Sequence, residues 1–360
     1  MLRQILNRLH RRHNRRDRTR RRARPSSHRH VLRLLGVAAL LAPSVPAAGV
    51  VSAQGAAQTW DVQVSGADAT GTFMAQGFFP SPVIIRAGDT VTWRWAQSPA
   101  PHTVTFNANR PPLADIVPGP GPGELMLGPA TFPQGPQGQN AVFDGTVQAS
   151  SGIPQQEGAA YSLRFTQPGL YGYVCALHPG MRGEVEVREA GAPLPETPAQ
   201  ARARGQATVD ALVAKMRDDA AAFRPASAGG VHMAMAGLGD GFGASYIQFL
   251  PSEVTVRRGD TVVWAMPDPF EIHTVTFLSG APPPGFIEPR PQPSGPPQLV
   301  IPATVVGPAG GSTYTGQGAV NSGILGNGHA FFLRFDAPPG SYEYVCLIHP
   351  TMRARVTVTG

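Results

Sequence analysis

The 360-residue sequence is poor in cysteine and has no apolar run long enough to cross a membrane. Its two cysteines, Cys175 and Cys346, allow at most one disulfide. The apolar stretch near the N-terminus spans only residues 34–42 and is followed by prolines. A transmembrane helix needs about 20 apolar residues. We therefore expect no stable membrane span in the mature chain.

An excess of basic residues is also missing from most of the chain, although the formal net charge of the whole chain is +7. Residues 1–53 contain 13 arginines and a single acidic residue, Asp17. The remaining 17 basic and 22 acidic residues give a net charge of −5. A basic surface for nucleic acid is therefore not expected beyond the first thirty residues.

The first 53 residues have the order of a secretory signal. An arginine-rich region precedes the apolar stretch 34–42, and the small-residue segment Val51–Ala53 follows it. This order predicts a cleaved signal peptide over 1–53 and a periplasmic or extracellular protein. A disordered basic tail and an uncleaved anchor are the alternatives.

The body of the chain contains an internal repeat. Cys175-Ala-Leu-His-Pro-Gly-Met181 recurs as Cys346-Leu-Ile-His-Pro-Thr-Met352, 171 residues later. In each copy a His-Thr-Val-Thr-Phe segment begins 73 residues before the cysteine, at His102 and at His273. Two long copies indicate a tandem duplication rather than a solenoid.

Each copy has the pattern of an all-β sandwich, with short alternating strands bounded by glycine and proline. We predict one such domain over 54–190 and another over 227–360. The Pro- and Gly-rich segments 108–140 and 280–312 are expected to be long surface connections.

A helical linker is predicted over 191–226. Apolar residues recur there at helical spacing from Val209 to Phe223. Thr197 with Pro198 is typical of a helix start, and Pro225 of a stop. Because a single apolar stripe needs a surface to cover, we expect the helix to dock as a strap. A loosely docked linker is the alternative.

The repeated residue types are those of a blue copper site. Thiolate and thioether ligands suit Cu(I), whereas imidazole suits both oxidation states. The methionine argues against a structural zinc site, which uses four tight ligands. Two cysteines of an exported protein often form a disulfide. That pairing is disfavoured here because it would join equivalent points of two repeats and leave both ligand sets empty.

Residues 161–185 resemble the C-terminal half of the small cupredoxins, above all amicyanins and then plastocyanins. Pro101-His102-Thr-Val resembles their upstream ligand segment. The resemblance covers about 110 residues of each half and implies Greek-key β-sandwiches with one copper each. One departure occurs in both halves, because Thr103 and Thr274 stand where the family commonly has asparagine. The motif assigns the copper ligands as His102, Cys175, His178 and Met181, then His273, Cys346, His349 and Met352.

The flanking residues favour an electron carrier over a copper enzyme. In two-domain copper enzymes of this family, a histidine beside the blue-site cysteine binds a second copper. Here Val174 and Val345 precede the cysteines, and no His-x-His pair occurs after residue 53. The remaining histidines, His232 and His329, are too few for a three-histidine copper site.

We therefore expect a one-electron relay without enzymatic activity. In the family the C-terminal histidine ligand reaches the surface, which predicts transient docking of redox partners near His178 and His349. Extracytoplasmic copper storage or delivery is the main alternative. A purely structural copper is a third possibility.

Overall fold

The structure, a computed structural model, describes residues 56–96, 100–112, 114–154, 158–178, 180–295 and 297–360. The predicted signal peptide lies outside these residues. Among the described residues, no helix is both long and apolar enough to span a bilayer.

The described residues of the first half are mainly short strands. Alternation of buried and half-buried residues, as in Trp60, Val62 and Val64, gives each strand one core-facing side. The strands are β1 (Thr59–Ala67), β2 (Phe73–Phe79), β3 (Val83–Arg86), β4 (Thr90–Trp95), β5 (Thr105–Phe106), β6 (Ile116–Pro118), β7 (Leu125–Leu127), β8 (Pro133–Gln134), β9 (Val142–Phe143), β10 (Ala149–Ser151), β11 (Ala160–Phe165), β12 (Gly169–Val174) and β13 (Arg182–Arg188).

Helix α1 (Pro198–Ala222) separates these strands from those of the second half. The second half has the same succession of short strands and one helical turn, α2 (Ala303–Val306). Its strands are β14 (Ser227–Ala228), β15 (Val231–Gly239), β16 (Ala244–Leu250), β17 (Glu253–Arg257), β18 (Thr261–Ala265), β19 (Thr276–Phe277), β20 (Glu288–Arg290), β21 (Gln298–Ile301), β22 (Thr313–Tyr314), β23 (Val320–Asn321), β24 (Ala330–Phe335), β25 (Gly340–Val345) and β26 (Arg353–Thr359).

Each half is a β-sandwich, which confirms the predicted fold class. In the first half, strands β2-β1-β4-β11-β9 face the sheet β3-β13-β12-β5-β10-β8. In the second half, β16-β15-β18-β24-β22 face β17-β26-β25-β19-β23. Equivalent tryptophans fill the two cores: Trp93 packs edge-on against Tyr173 at 5.3 Å between ring centroids, and Trp264 against Tyr344 at 5.3 Å.

The two sandwiches share one continuous sheet. Strand β2 pairs with β16 in antiparallel register, with Met74 opposite Ser245 at the centre. These two residues are equivalent under the 171-residue repeat, so the pairing has approximate two-fold symmetry. Each sandwich thereby covers the exposed strand edge of the other.

The Pro- and Gly-rich connections differ from the prediction, because parts of them form a second link between the halves. Strand β7 of the first half pairs with β21 of the second, with Met126 opposite Val300. Together with β6 and β20 they form a four-stranded sheet. Arg290 of the second half also binds both carboxylate oxygens of Glu124. Such long-range pairing leaves no local sequence pattern.

Helix α1 packs along the shared sheet, against β1, β2 and β16. It begins with the predicted Thr197 cap, whose side chain and that of Gln200 form a reciprocal capping box. The buried face consists of residues three or four apart: Ala201, Gly205, Val209, Val213, Met216 and Ala220. The helix is therefore docked, as expected for a strap.

Gly205 marks the closest approach of the helix to the sheet. A Cβ atom at this position would lie 2.7 Å from the carbonyl carbon of Phe79 and 2.7 Å from the nitrogen of Pro80. Because both neighbours are backbone atoms, they cannot move aside as a side chain could.

We predict that Gly205→Val destabilises the protein by about 1–3 kcal/mol, because the added atoms overpack the interface between helix and sheet. Denaturant unfolding measures this loss. Ala207→Val, on the exposed side of the same helix, is the matched control and should change stability by less than about 1 kcal/mol. Equal effects of the two substitutions would contradict the close approach.

Candidate metal centres

The first centre is built at the end of a hairpin. Cys175 directly follows β12, and Met181 directly precedes β13. The Cys175 N–H donates to the Met181 carbonyl at 3.0 Å, and the Met181 N–H donates to the His178 carbonyl at 2.8 Å. These bonds close the loop tightly around the side chain of Cys175. His102 comes from the distant connection between β4 and β5 and is fully buried.

The second centre repeats this construction. Cys346 follows β25 and Met352 precedes β26, with the equivalent N–H to carbonyl bonds at 3.0 and 2.9 Å. His273 lies between β18 and β19, where its backbone bridges that of Leu325. Both cysteines are free thiols. The disulfide alternative is therefore not found.

The donor atoms converge in each half. Nδ1 of His102 lies 3.9 Å from the Cys175 Sγ, and Nδ1 of His178 lies 3.4 Å from it. In the second half, the corresponding distances from the Cys346 Sγ are 3.9 and 3.7 Å. Within each group all three donor atoms lie within 4.8 Å of one another.

The methionines lie in the same places of the two sandwiches. Met181 and Met352 are 1% and 0% exposed, and each belongs to the core cluster that contains the cysteine of its half. A buried thiol, two imidazole Nδ1 atoms and a neighbouring thioether fit copper by their chemistry. Two Nδ1 atoms and one Sγ atom that converge in a buried space form a donor set that a metal ion could bind.

The thiols are poised to ionise. Burial by itself raises the pKa of Cys175, but the charge of His178 and hydrogen bonds from His102 and His178 hold that pKa well below its ordinary value. Burial likewise raises the pKa of Cys346, and hydrogen bonds from His273 and His349 lower it further than burial raises it. The thiolate is the form that binds a metal.

Thr103 and Thr274, which directly follow the upstream histidines, brace the two cysteine loops. The Thr103 N–H points at the Cys175 Sγ at 3.4 Å, and its hydroxyl accepts from the Ala176 N–H at 2.8 Å. Thr274 makes the same contacts with Cys346 and Leu347, at 3.4 and 2.8 Å. A hydroxyl acceptor thus ties the histidine segment to the cysteine loop.

A buried carboxylate lies between the two centres. One oxygen of Glu271, Oε1, is 3.5 Å from Nε2 of His178, and the other, Oε2, is 3.4 Å from Nε2 of His349. The Gln76 side-chain amide donates to Oε1. Burial raises the pKa of Glu271, but the charge of His178 and hydrogen bonds from His178 and His349 hold that pKa well below its ordinary value.

This arrangement corrects the expected surface position of His178 and His349. The two residues are only 6% and 3% exposed, because the shared sheet turns both ligand loops towards the other half. Their Nε2 atoms meet Glu271 instead of solvent.

Glu271 and Gln76 are the residues that the sequence patterns missed. Under the repeat they correspond to Ala100 and Ile247, which are apolar and buried. A polar residue in one copy opposite an apolar residue in the other was the available signal. Its meaning required knowing which strand edges meet.

The other histidines have structural surroundings. His232 contacts Asp260 at 3.0 Å, and Asp260 accepts the Arg257 N–H in a strand turn. In the first half the equivalent residue, Asp89, accepts a hydrogen bond from the indole N–H of Trp60. His329 accepts from the Gly326 N–H in an exposed loop. Among the described residues, neither joins a group of three metal-binding side chains.

Asp268, close to Glu271 in sequence, is fully buried and accepts the Phe270 N–H at 2.8 Å. Burial raises the pKa of Asp268 by more than the Phe270 hydrogen bond lowers it, so the pKa is about 6. In the unfolded chain this pKa is near 3.8. The folded state therefore holds the proton more strongly between pH 4 and 6.

The parent protein should lose stability as pH rises from about 4 to about 6, because Asp268 must ionise while buried. We predict that the Asp268→Asn variant does not show this loss. The amide stays neutral and keeps an acceptor for Phe270. Above about pH 6 the variant should be more stable by about 1–3 kcal/mol. Urea unfolding across this pH range measures the difference. A stability difference that does not change with pH would contradict the assignment.

Comparison with known proteins agrees with the geometry. The family described as copper binding proteins, plastocyanin/azurin family, matches residues 64–188, which include His102 and the loop from Cys175 to Met181. Amicyanin-alpha of Methylorubrum extorquens is 29% identical over 152 residues, or 42% of this chain and 92% of the relative.

Solved amicyanin structures are also similar to this chain. A Cu(I) methionine-to-glutamine mutant is 24% identical, with a TM-score of 0.22, over 36% of this chain and 82% of the other. A Cu(I) methionine-to-alanine mutant is 26% identical, with a TM-score of 0.22, over 38% and 89%. The family match lies in the first half, and the second half repeats its fold and its donor group. Residues 64–188 are therefore similar to the plastocyanin/azurin family of copper binding proteins.

Proposed function

We propose that the protein is an exported blue copper electron-transfer protein with one copper site in each half. The observation that carries this proposal is the pair of equivalent, buried His–Cys–His donor groups, each beside a buried methionine. Sequence equivalence extends to the bracing threonines, which argues that both halves keep a working site.

The residues that would hold the metal are His102, Cys175, His178 and Met181 in the first half, and His273, Cys346, His349 and Met352 in the second. Bound copper would supply one-electron chemistry by cycling between Cu(I) and Cu(II). The chain itself fixes the donors before the metal arrives. Hairpin bonds hold the loop, and the threonine N–H directed at each sulfur stabilises the thiolate.

Burial of the donors supports retention of copper rather than its delivery. The donor residues are at most 6% exposed, so a transfer partner cannot reach them without opening the loop. The residues beside Cys175 and Cys346 are apolar, which supports a carrier rather than an enzyme with a second copper. These features favour electron transfer as the single role.

The location and partners follow from the same proposal. The N-terminal pattern supports export to the periplasm or the cell exterior. Redox proteins of that compartment would dock transiently. Since His178 and His349 are buried, docking must use surface other than these two rings.

We predict about two copper ions per chain and an intense thiolate-to-copper absorption band that bleaches reversibly on reduction. Cys175→Ala and Cys346→Ala should each retain about one copper and part of the band. Metal analysis and visible spectroscopy of the same samples measure both. Copper lost to a Cu(I) chelator after reduction would instead support a delivery protein. Less than one copper per donor group would contradict the proposal.

We predict that Thr103→Val weakens the bracing of the first site only. The substitution removes the acceptor of the Ala176 N–H, which should cost about 1–2 kcal/mol of stability and shift the reduction potential of that site. Thr103→Ser retains the hydroxyl and is the matched control. Thr274→Val should act in the same way on the second site. Voltammetry and unfolding check these effects, and an unchanged potential in both valine variants would rule out a bracing role.

A further inference from the structure

The side chains between the two centres form a continuous chain of contacts. In each half, Nδ1 of the C-terminal histidine faces the cysteine sulfur, so Nε2 of the same ring points away from the donor group. Both Nε2 atoms face the Glu271 carboxylate, one at each oxygen. The sequence of contacts is Cys175, His178, Glu271, His349, Cys346.

The part of this chain formed by His178, Glu271 and His349, called the bridge below, is shielded from solvent. The side chains of His178, Glu271 and His349 are 7%, 3% and 3% exposed. Gln76, itself 3% exposed, donates to the carboxylate and fixes its rotation. An unpaired carboxylate in such surroundings would be strongly destabilising, so the two imidazole N–H groups are what makes its burial tolerable.

The bridge also breaks the approximate two-fold symmetry of the junction between the two halves, which is called the seam below. The positions equivalent to Glu271 and Gln76 are Ala100 and Ile247, which pack with Met74 in an apolar cluster. One carboxylate near the axis reaches both histidines. A second at the equivalent position would place two buried negative charges side by side, which is unfavourable.

We propose that Glu271 joins the two metal sites into one unit by holding His178 and His349 on a shared carboxylate, so that electrons pass between the sites inside the molecule. This inference rests on the proposed electron-transfer function. Ligand histidines usually donate their second N–H to an outer partner of their own. Here one outer partner serves two sites.

The exchange balances without any other reactant. One electron leaves the reduced site and arrives at the oxidised site, so one is oxidised as the other is reduced. No bond breaks, and both imidazole protons stay on their Nε2 atoms. The carboxylate keeps the rings in place and supplies a short path of bonds and contacts between them.

The test uses copper-loaded full-length protein carrying Met352→Gln, since a changed axial ligand separates the potentials and bands of the two sites. Flash reduction with less than one electron per chain is followed by the two bands. We expect a redistribution phase whose rate is independent of protein concentration. Adding Glu271→Gln, which keeps the shape but replaces one acceptor oxygen by a donor, should slow this phase by about 10- to 100-fold.

Asp268→Asn is the matched control. It also removes a buried carboxylate from the same connection, but no contact joins Asp268 to either bridging histidine among the described residues, and the rate should stay within about twofold of the parent. Equal rates in the Glu271→Gln, Glu271→Ala and parent proteins would overturn the proposal, as would absence of the phase in protein with two coppers. Failure to bind copper or to show the band would instead contradict the proposed function.

A second readout needs no electron transfer. In the Cu(I) protein, proton NMR should show two imidazole Nε2–H signals that exchange slowly with water, from His178 and His349. Glu271→Ala should abolish the slow exchange of both together, while Asp268→Asn should leave it intact. Persistence of both slow signals in Glu271→Ala would show that Glu271 does not hold the rings.

Discussion

The antiparallel pairing of β2 with β16 is the constraint on which the rest of the structure depends. It fuses two sandwiches through their edge strands and fixes their relative orientation about the pair Met74 and Ser245. Helix α1 then packs across the junction and buries one apolar stripe on both halves. With this orientation the two ligand loops face each other. Small changes at this junction would therefore alter the geometry of both donor groups.

Burying charge at that meeting point is possible only because each charge has a partner. A carboxylate transferred from water loses several kcal/mol of solvation. Glu271 recovers it from two imidazoles and the Gln76 amide. The histidines are held in turn by their cysteines. The cysteines, the two histidines and the Glu271 carboxylate thus stabilise one another through these contacts. The resulting polar network has a defined geometry within otherwise apolar surroundings.

The sequence carries the local parts of this design. Cys175 and Met181 share one short loop, so their proximity follows from chain geometry, and Thr197 with Pro198 marks a helix start by its own chemistry. The meeting of His102 with that loop follows from the repeated spacing and the family resemblance. The joining of strand edges, the pairing of Met126 with Val300, and the role of Glu271 could not be predicted. Each depends on contacts between segments that are distant in the sequence, and periodicity along the chain does not predict such contacts.

The covalent link between the halves changes the character of the seam. Two free sandwiches would have to find each other by diffusion, and an open strand edge would also invite pairing with other chains. Helix α1 makes the encounter intramolecular, at an effective concentration of about millimolar or higher. Because the contact is nearly self-complementary, it is satisfied once and leaves no free copy of the same edge to propagate. Joining the two halves in one chain thus closes a strand edge that could otherwise pair with other chains.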